Sequence, residues 1–401
     1  MTFSIDLLET TEQLREILPE WLAFLETKPL GMSVYNDLRF ILAHWRSLSD
    51  EADAKLHILI LREVGIIRCI APFWMSKSIF KLSVSVKTLF SAKGIRQLKC
   101  FGDSFIYFCP DEGEKRHTER YFKFVFDHLA KTDIRFDFLY IMDLRKNTPF
   151  GEYCCNFRTT GKFRIVDVLV EKQRDYRIIL PETMAGFLAS LSQKKRYSIK
   201  RTVKNFHFDS AKDRFICIAS PDQVEYFVDA MDRIAKESWQ SKTFGHSQRN
   251  TDRSLAYFQE LAESGLLRSY LLERDGIPIA YRNGYQDSTG YYCQESRYDR
   301  THYEDLYPGL VCLFFHIENL FEKNRPAFVD FGFGDLGYKR VWANEEIEST
   351  SVYITATWKG YFLARTQKAI NHFVFWCKRQ LEYWKVADRI RKILQHKNRP
   401  R

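Results

Sequence analysis

The sequence predicts an α/β (α+β) fold made of two related halves, each a mixed twisted sheet flanked by helices, with further helices at the C-terminus. Three observations carry this expectation. The chain has 401 residues, and a length of that order suits two domains with a core each. Residues 291–342 read as strand, loop, apolar helix and second strand. The first half of the chain weakly repeats the pattern of the second.

In the second half the strand is 291–298, the loop ends Leu306-Tyr307-Pro308-Gly309, the helix runs 310–322, and the second strand spans 327–334. A strand that feeds the open N-terminus of a helix through a tight Pro-Gly turn presents unpaired backbone N–H groups. With the positive end of the helix dipole, those groups hold a phosphate or pyrophosphate without a charged side chain. Leu306, Tyr307, Gly309 and Leu310 are therefore the candidate cofactor-binding residues, and the Asp330 strand is expected to line the reaction groove. Upstream, Ser220-Pro221-Asp222-Gln223 is a capping box with Pro at the first helical position, opening a helix to about Trp239. Residues 252–264 give another helix, closed by Gly265. Strands 266–274 and 277–285 follow, and 349–358 alternates as a final strand.

The repeat is short. Residues 58–67 resemble 269–278: each is an apolar strand, a Gly-centred turn and a second strand, a hairpin signature in which Asp275-Gly276 is the stronger turn. Phe136-Asp137-Phe138 ahead of Asp143-Leu144 echoes Val329-Asp330-Phe331 ahead of Asp335-Leu336, and a helix precedes both strands. The expected organisation is a first domain at 1–175, a second at 176–358, a join near 172–181, and a basic, aromatic-rich helical tail at 359–401. The copies differ where a ligand would bind. The first enters its helix through Pro110-Asp111-Glu112-Gly113-Glu114, whose carboxylates repel a phosphate. It also has Leu139 and Ile141 where the second has Gly332 and Gly334. The first half is thus expected to be a structural or substrate-side partner, and the second to carry the site.

The net charge of +10 is not general. Residues 359–401 hold twelve Lys and Arg against two acids, and the rest of the chain balances, so a nucleic-acid reading of the whole chain loses its support. The tail also carries Phe362, Phe373, Phe375, Trp376, Tyr383 and Trp384. It is expected either to pack on the body with a solvated basic face or to touch an anionic membrane surface or RNA. Nine cysteines without Cys-x-x-Cys spacing read as thiols of a reducing compartment. No secretory signal or membrane-spanning run is visible. The expected location is cytoplasmic, with the inner face of the membrane as a peripheral contact.

The second half resembles the C-terminal domain of the CelD/BcsL group of GNAT-type acyltransferases, related to the Fem peptidyltransferases. The resemblance covers about 176–358. It rests on the runs 187–196, 265–268 and 275–280, on Glu237-Ser238-Trp239, Tyr298-Asp299 and Pro308-Gly309, and on Asp330-Phe331-Gly332-Phe333-Gly334 followed by Tyr338-Lys339 and Trp342. The first half resembles a degenerate repeat of the same domain. The resemblance implies a tandem GNAT fold that moves an acyl group from acetyl-CoA or another acyl-CoA to an amine or hydroxyl, often on a glycan precursor in polysaccharide or cell-envelope synthesis. This chain departs from the usual phosphate loop at 300–309, where Glu304 and Asp305 sit close to the expected pyrophosphate. A different donor or an inactive loop therefore stays open.

Acyl transfer needs a base for the nucleophile and an acid for the leaving thiolate. Asp330 is the first candidate for base or substrate anchor, with a structural carboxylate as its plain alternative. Glu295 is the competing base, or a solvated strand residue. Tyr338 is the candidate acid, and Lys339 a candidate contact for an anionic acceptor, with packing and a salt bridge as the respective alternatives. The basic run from Lys194 to Lys204, with Arg196 as the substrate-binding candidate, suits the CoA 3′-phosphate, a lipid-linked diphosphate or RNA. Trp239 is placed as a wall of the acceptor groove. His246, His302 and His316 have no metal-ligand spacing, so no metal is expected. Two other functions compete: an aminoacyl-tRNA-dependent transferase, the one case in which nucleic acid is a partner, and a catalytically silent scaffold.

Overall fold

A computed structural model of the protein describes residues 3–27, 29–48, 53–84, 87–102, 104–108, 115–157, 159–160, 162–168, 173–238, 251–334 and 337–383. The first half runs β1 (Phe3–Leu8), α1 (Thr11–Glu26), α2 (Leu38–Leu48), β2 (Lys55–Glu63), β3 (Ile66–Val84), β4 (Lys87–Cys100), β5 (Ile106–Tyr107), α3 (Lys115–Lys131), β6 (Phe138–Arg145) and α4 (Pro149–Asn156). After β7 (Thr159–Thr160), β8 (Phe163–Asp167), β9 (Gln173–Ile179), α5 (Met184–Ser190) and α6 (Gln193–Phe206) the order recurs. It continues as β10 (Asp213–Ile218), α7 (Val224–Glu237), α8 (Asp252–Glu263), β11 (Ser269–Arg274), β12 (Ile277–Gln286), β13 (Gly290–Tyr298), α9 (Arg300–Tyr303), α10 (Pro308–Glu322), β14 (Phe328–Phe333), α11 (Gly337–Trp342) and β15 (Glu345–Thr355). A last helix, α12 (Trp358–Tyr383), closes the described chain.

Local chemistry explains the recurrence. Both hairpin turns place two consecutive residues at positive φ: Val64 at 52° and Gly65 at 80°, Asp275 at 51° and Gly276 at 72°. That is the turn whose twist matches paired strands. Asp tolerates the left-handed region better than β-branched Val, so the second turn carries the clearer sequence signal. Ser220 forms its capping box with Gln223, and Gly265 at φ 72° ends the turn after α8.

Among the described residues all the strands join one mixed sheet of fifteen, whose main path runs β1-β2-β3-β4-β6-β15-β9-β14-β13-β12-β11-β10. Within it β4–β6 and β13–β14 are parallel and the other named pairs antiparallel. Each half therefore has the same signature, one parallel pair with the helix of its crossover packed on a face. Within the segment expected to join the halves, residues 173–179 form β9, inserted between β15 and β14. The final strand starts at Glu345 rather than 349, because its first residues pair with β9 while later ones pair with β6 and β8 of the first half.

The second half buries two faces. Tyr270, Ala280, Tyr291 and Val329 pack under α5, α6, α10 and α11, whereas Leu271, Tyr281, Tyr285 and Tyr292 pack under α7 and α8. Period-two alternation sends successive residues of one strand to opposite cores. Helix α12 buries Leu363 and Ala364 but exposes Trp358, Phe362, Phe373 and Trp376. The carboxylate-bearing entry 110–114 and the tail beyond Tyr383 lie outside the described residues.

Candidate functional site

The parallel pair β13–β14 holds together for only three residue pairs, ending at Tyr292 and Asp330. Both strands continue beyond that point without pairing, so the sheet opens in a V. Two irregularities keep it open. On β13, Asn283 faces Glu295 and Gly284 faces Cys293, which leaves Gln294 as an extra residue in a bulge. On β14 the register against β9 breaks after Asp330, where Gly332 adopts φ 64°. Lys339 compensates for the lost partners: its Nζ donates to the carbonyls of Phe331 (2.8 Å), Gly332 (3.3 Å) and Phe333 (2.7 Å). The residue expected to contact an acceptor is thus spent on three backbone acceptors, and burial lowers its pKa.

Next to the V stands the mouth of α10. Tyr307 enters it with φ 49° and ψ 48°, Pro308 is the first helical residue, and no side chain caps the helix. The Tyr307 carbonyl takes the N–H groups of Leu310 (2.9 Å) and Val311 (3.2 Å). The ring of Tyr298 lies on Gly309, where an added Cβ would sit 2.9 Å from it. Of the two acids that argued against a phosphate here, Glu304 is paired with Arg300 at 2.7 Å. An apolar cleft of about 70 Å³ runs between α6, α10 and α11, with Ile199, Thr202, Leu310, Tyr338 and Trp342 among its walls. Two of the candidate residues, Leu310 and Tyr338, meet there. Leu306 is half-buried against the same core, and Tyr307 is exposed at the rim.

Glu295 lies across the sheet. It accepts from the Tyr281 hydroxyl at 2.9 Å and from Arg297 Nε at 2.8 Å, and Arg297 in turn reaches Ser238 at the end of α7. The V therefore has a tyrosine on its α10 side and a carboxylate on its α7 side.

Asp330 has a different environment. Its side chain accepts from Arg177 Nε (2.9 Å), from Arg145 and from the Gly332 N–H (2.8 Å). Arg145 also reaches Asp175 at 3.3 Å, and Ser349 donates to Asp175 at 3.0 Å. Burial would raise the Asp330 pKa, but the Arg145 and Arg177 guanidiniums outweigh it and hold the carboxyl below its ordinary range. A carboxylate held so is a poor proton acceptor. The geometry makes Asp330 an ion-pair hub between β6, β9 and β14 rather than the base expected first, because the chain brings two arginines to it from outside its own motif.

Arg196 is partly exposed on α6, and the neighbouring Lys195 donates to the Arg340 carbonyl at 2.6 Å. Trp239 lies outside the described residues. Among the described residues, Glu237, Asp299 and His302 bring one ligand atom each within 4.8 Å of one another. Their hydrogen bonds are already committed: Asp299 caps the His302 N–H and meets its ring, and Glu237 accepts from Thr301.

Sequence reasoning missed Arg145, Asp175 and Arg177, whose partners are set by tertiary pairing. It also missed Arg282, a cation in the middle of β12. A charged residue inside an apolar strand is a readable signal.

Residues 193–340 match the family described as the acetyltransferase (GNAT) domain. Among solved structures, FemX aligns at TM-score 0.58 with 9% identity, covering 90% of this chain and 100% of that one. A conserved protein of unknown function from Bacteroides thetaiotaomicron aligns at 0.51 with 12% identity, covering 88% and 100%. No curated protein matches the sequence. Residues 193–340 are thus similar to a GNAT acetyltransferase domain, and the chain shares its fold with these two structures. Among the described residues no helix is long and apolar enough to cross a membrane.

Proposed function

We propose that the protein moves an acyl group from an acyl-CoA donor to an amine or hydroxyl acceptor, with the catalytic work in 176–358 and 1–175 as the supporting half. The observation that carries this reading is the V between β13 and β14 beside an uncapped helix mouth, with Tyr338 on one face and Glu295 on the other. The mouth of α10 would take the donor's pyrophosphate, and the cleft its pantetheine arm. The acceptor would approach from the α7 side. Its nucleophile attacks the thioester carbonyl and passes a proton to Glu295. The C–S bond then breaks, and the thiolate takes a proton from Tyr338. Tyr298 belongs to the site as the residue that packs Gly309.

The resemblance to CelD/BcsL-like enzymes makes a glycan precursor of the cell envelope the preferred acceptor class. The exposed aromatic stripe and basic flanks of α12 support a peripheral contact with the cytoplasmic face of an anionic membrane. A second reading, transfer from an aminoacyl-tRNA, draws on the exposed cations Lys194, Lys200, Arg201 and Lys204 along α6 and on the shared fold with FemX.

Titration calorimetry separates them. The expected result is saturable binding of CoA and acetyl-CoA that disappears in Gly309→Trp, since the new side chain collides with Tyr298. If tRNA binds instead, with a steep salt dependence, the second reading replaces the first. For the transfer itself, Glu295→Gln is expected to cut kcat by about 10²–10⁴-fold while leaving the CoA affinity in place. An undiminished kcat would remove Glu295 from the chemistry.

A further inference from the structure

Arg282 has no place in the scheme above. It projects from β12 on the α10 side of the sheet and is only 3% exposed. Its Nη2 faces the Cys293 sulfur at 3.4 Å and its guanidinium stands 5.8 Å from the centre of the Phe331 ring. The side chain therefore reaches over β13 toward β14, on the floor of the V. Among the described residues it forms no ion pair, and its Nε has no partner. Lys339, the other buried cation nearby, is satisfied by three carbonyls, whereas Arg282 meets only a thiol.

Two more groups on this side of the sheet lack partners among the described residues: the Tyr291 hydroxyl and both ring nitrogens of His316. Their rings lie 4.3 Å apart, and both groups are within electrostatic reach of Arg282. Tyr338 lines the neighbouring cleft. The guanidinium brings five N–H donors and no acceptor, more than the acceptor capacity of one phenol oxygen and one imidazole nitrogen. A buried cluster with donors in excess and an uncompensated positive charge is costly unless an acceptor completes it. A planar carboxylate matches a guanidinium in shape and charge.

We propose that Arg282 seats a carboxylate carried by the acyl unit, so that the donor is a dicarboxylic acyl-CoA rather than acetyl-CoA. This rests on the acyl-CoA reading. Calorimetry with CoA, acetyl-CoA and succinyl-CoA tests it against the parent protein, Arg282→Met and Arg282→Lys. Succinyl-CoA is expected to bind the parent about tenfold or more tighter than acetyl-CoA. Arg282→Met should erase that difference without changing acetyl-CoA affinity, and Arg282→Lys should keep part of it. Equal affinity of the parent for the two thioesters overturns the carboxylate proposal and leaves acyl-CoA transfer standing. So does an Arg282 dependence that plain CoA already shows, because the anion is then the carrier's own phosphate. If no CoA compound binds, the transfer reading fails, and free succinate decides the site separately. A melting-temperature rise with succinate over chloride at equal ionic strength, absent in Arg282→Met, supports a carboxylate seat, and no rise overturns it. Melting of the ligand-free proteins checks the premise: Arg282→Met should be at least as stable as the parent, and a marked loss would make Arg282 structural.

Discussion

Both side-chain oxygens of Asp330 are occupied, one by two guanidiniums and one by the Gly332 amide. Replacing it with Asn leaves two arginines facing each other with one acid fewer. Removing one partner of a buried pair costs about 3–5 kcal/mol, so Asp330→Asn is expected to unfold at much lower urea than the parent, with activity lost in step. A variant that is inactive yet as stable as the parent would return Asp330 to the chemistry. Lys339 teaches the same lesson with opposite charge. Its three carbonyl contacts stabilise a strand that has left its neighbour, a role that no substrate is needed to explain.

Helix α10 does two things at once. Its mouth opens beside the V, and its middle buries His316 between Tyr270 and Tyr291 at ring distances of 4.5 and 4.3 Å. Burial, with Arg282 and Arg268 beside it, pushes the His316 pKa well below its usual value. The unfolded chain binds a proton at this residue below about pH 6.5, and the native state refuses it. Stability from His316 is therefore complete above that pH and falls as the solution is acidified, by about 1.4 kcal/mol per pH unit for a single group. Burial also lowers His44, to about 4, so it adds to the slope. Urea denaturation from pH 7.5 to 5 is expected to show this decline, and His316→Phe to lessen it. A variant with an unchanged slope would mean that His316 is protonated in the folded protein.

At the scale of the whole molecule, the halves repeat one element order but do not form separate sheets. β15 pairs with β9 at its start and with β6 and β8 of the first half further on, and the Arg145–Asp330 pair crosses the same seam. A chain starting at residue 176 would expose the edge of β15 and lose the first three residues of β9, and exposed edges aggregate. Such a fragment is expected to be insoluble or oligomeric when expressed alone, and soluble when 1–175 is supplied in trans. A monomeric, cooperatively folding fragment would show that the seam is dispensable.

Local chemistry was enough to read the hairpin at Asp275-Gly276, the capping box at Ser220, the helix after Pro308-Gly309 and the strand around Asp330, because turns, caps and amphipathic periods depend on neighbours in sequence. The repeat of helix and strand patterns was legible for the same reason. Which carboxylate faces one guanidinium and which faces two was decided only in three dimensions. Arg145 and Arg177 come to Asp330 from 185 and 153 positions away, and no spacing rule reports a pairing over such distances. The opening between β13 and β14 belongs to this second kind: it arises from a bulge opposite Asn283 and from a lysine six to eight residues past the carbonyls it holds. Composition told which groups were present; register and burial told which partners each of them found.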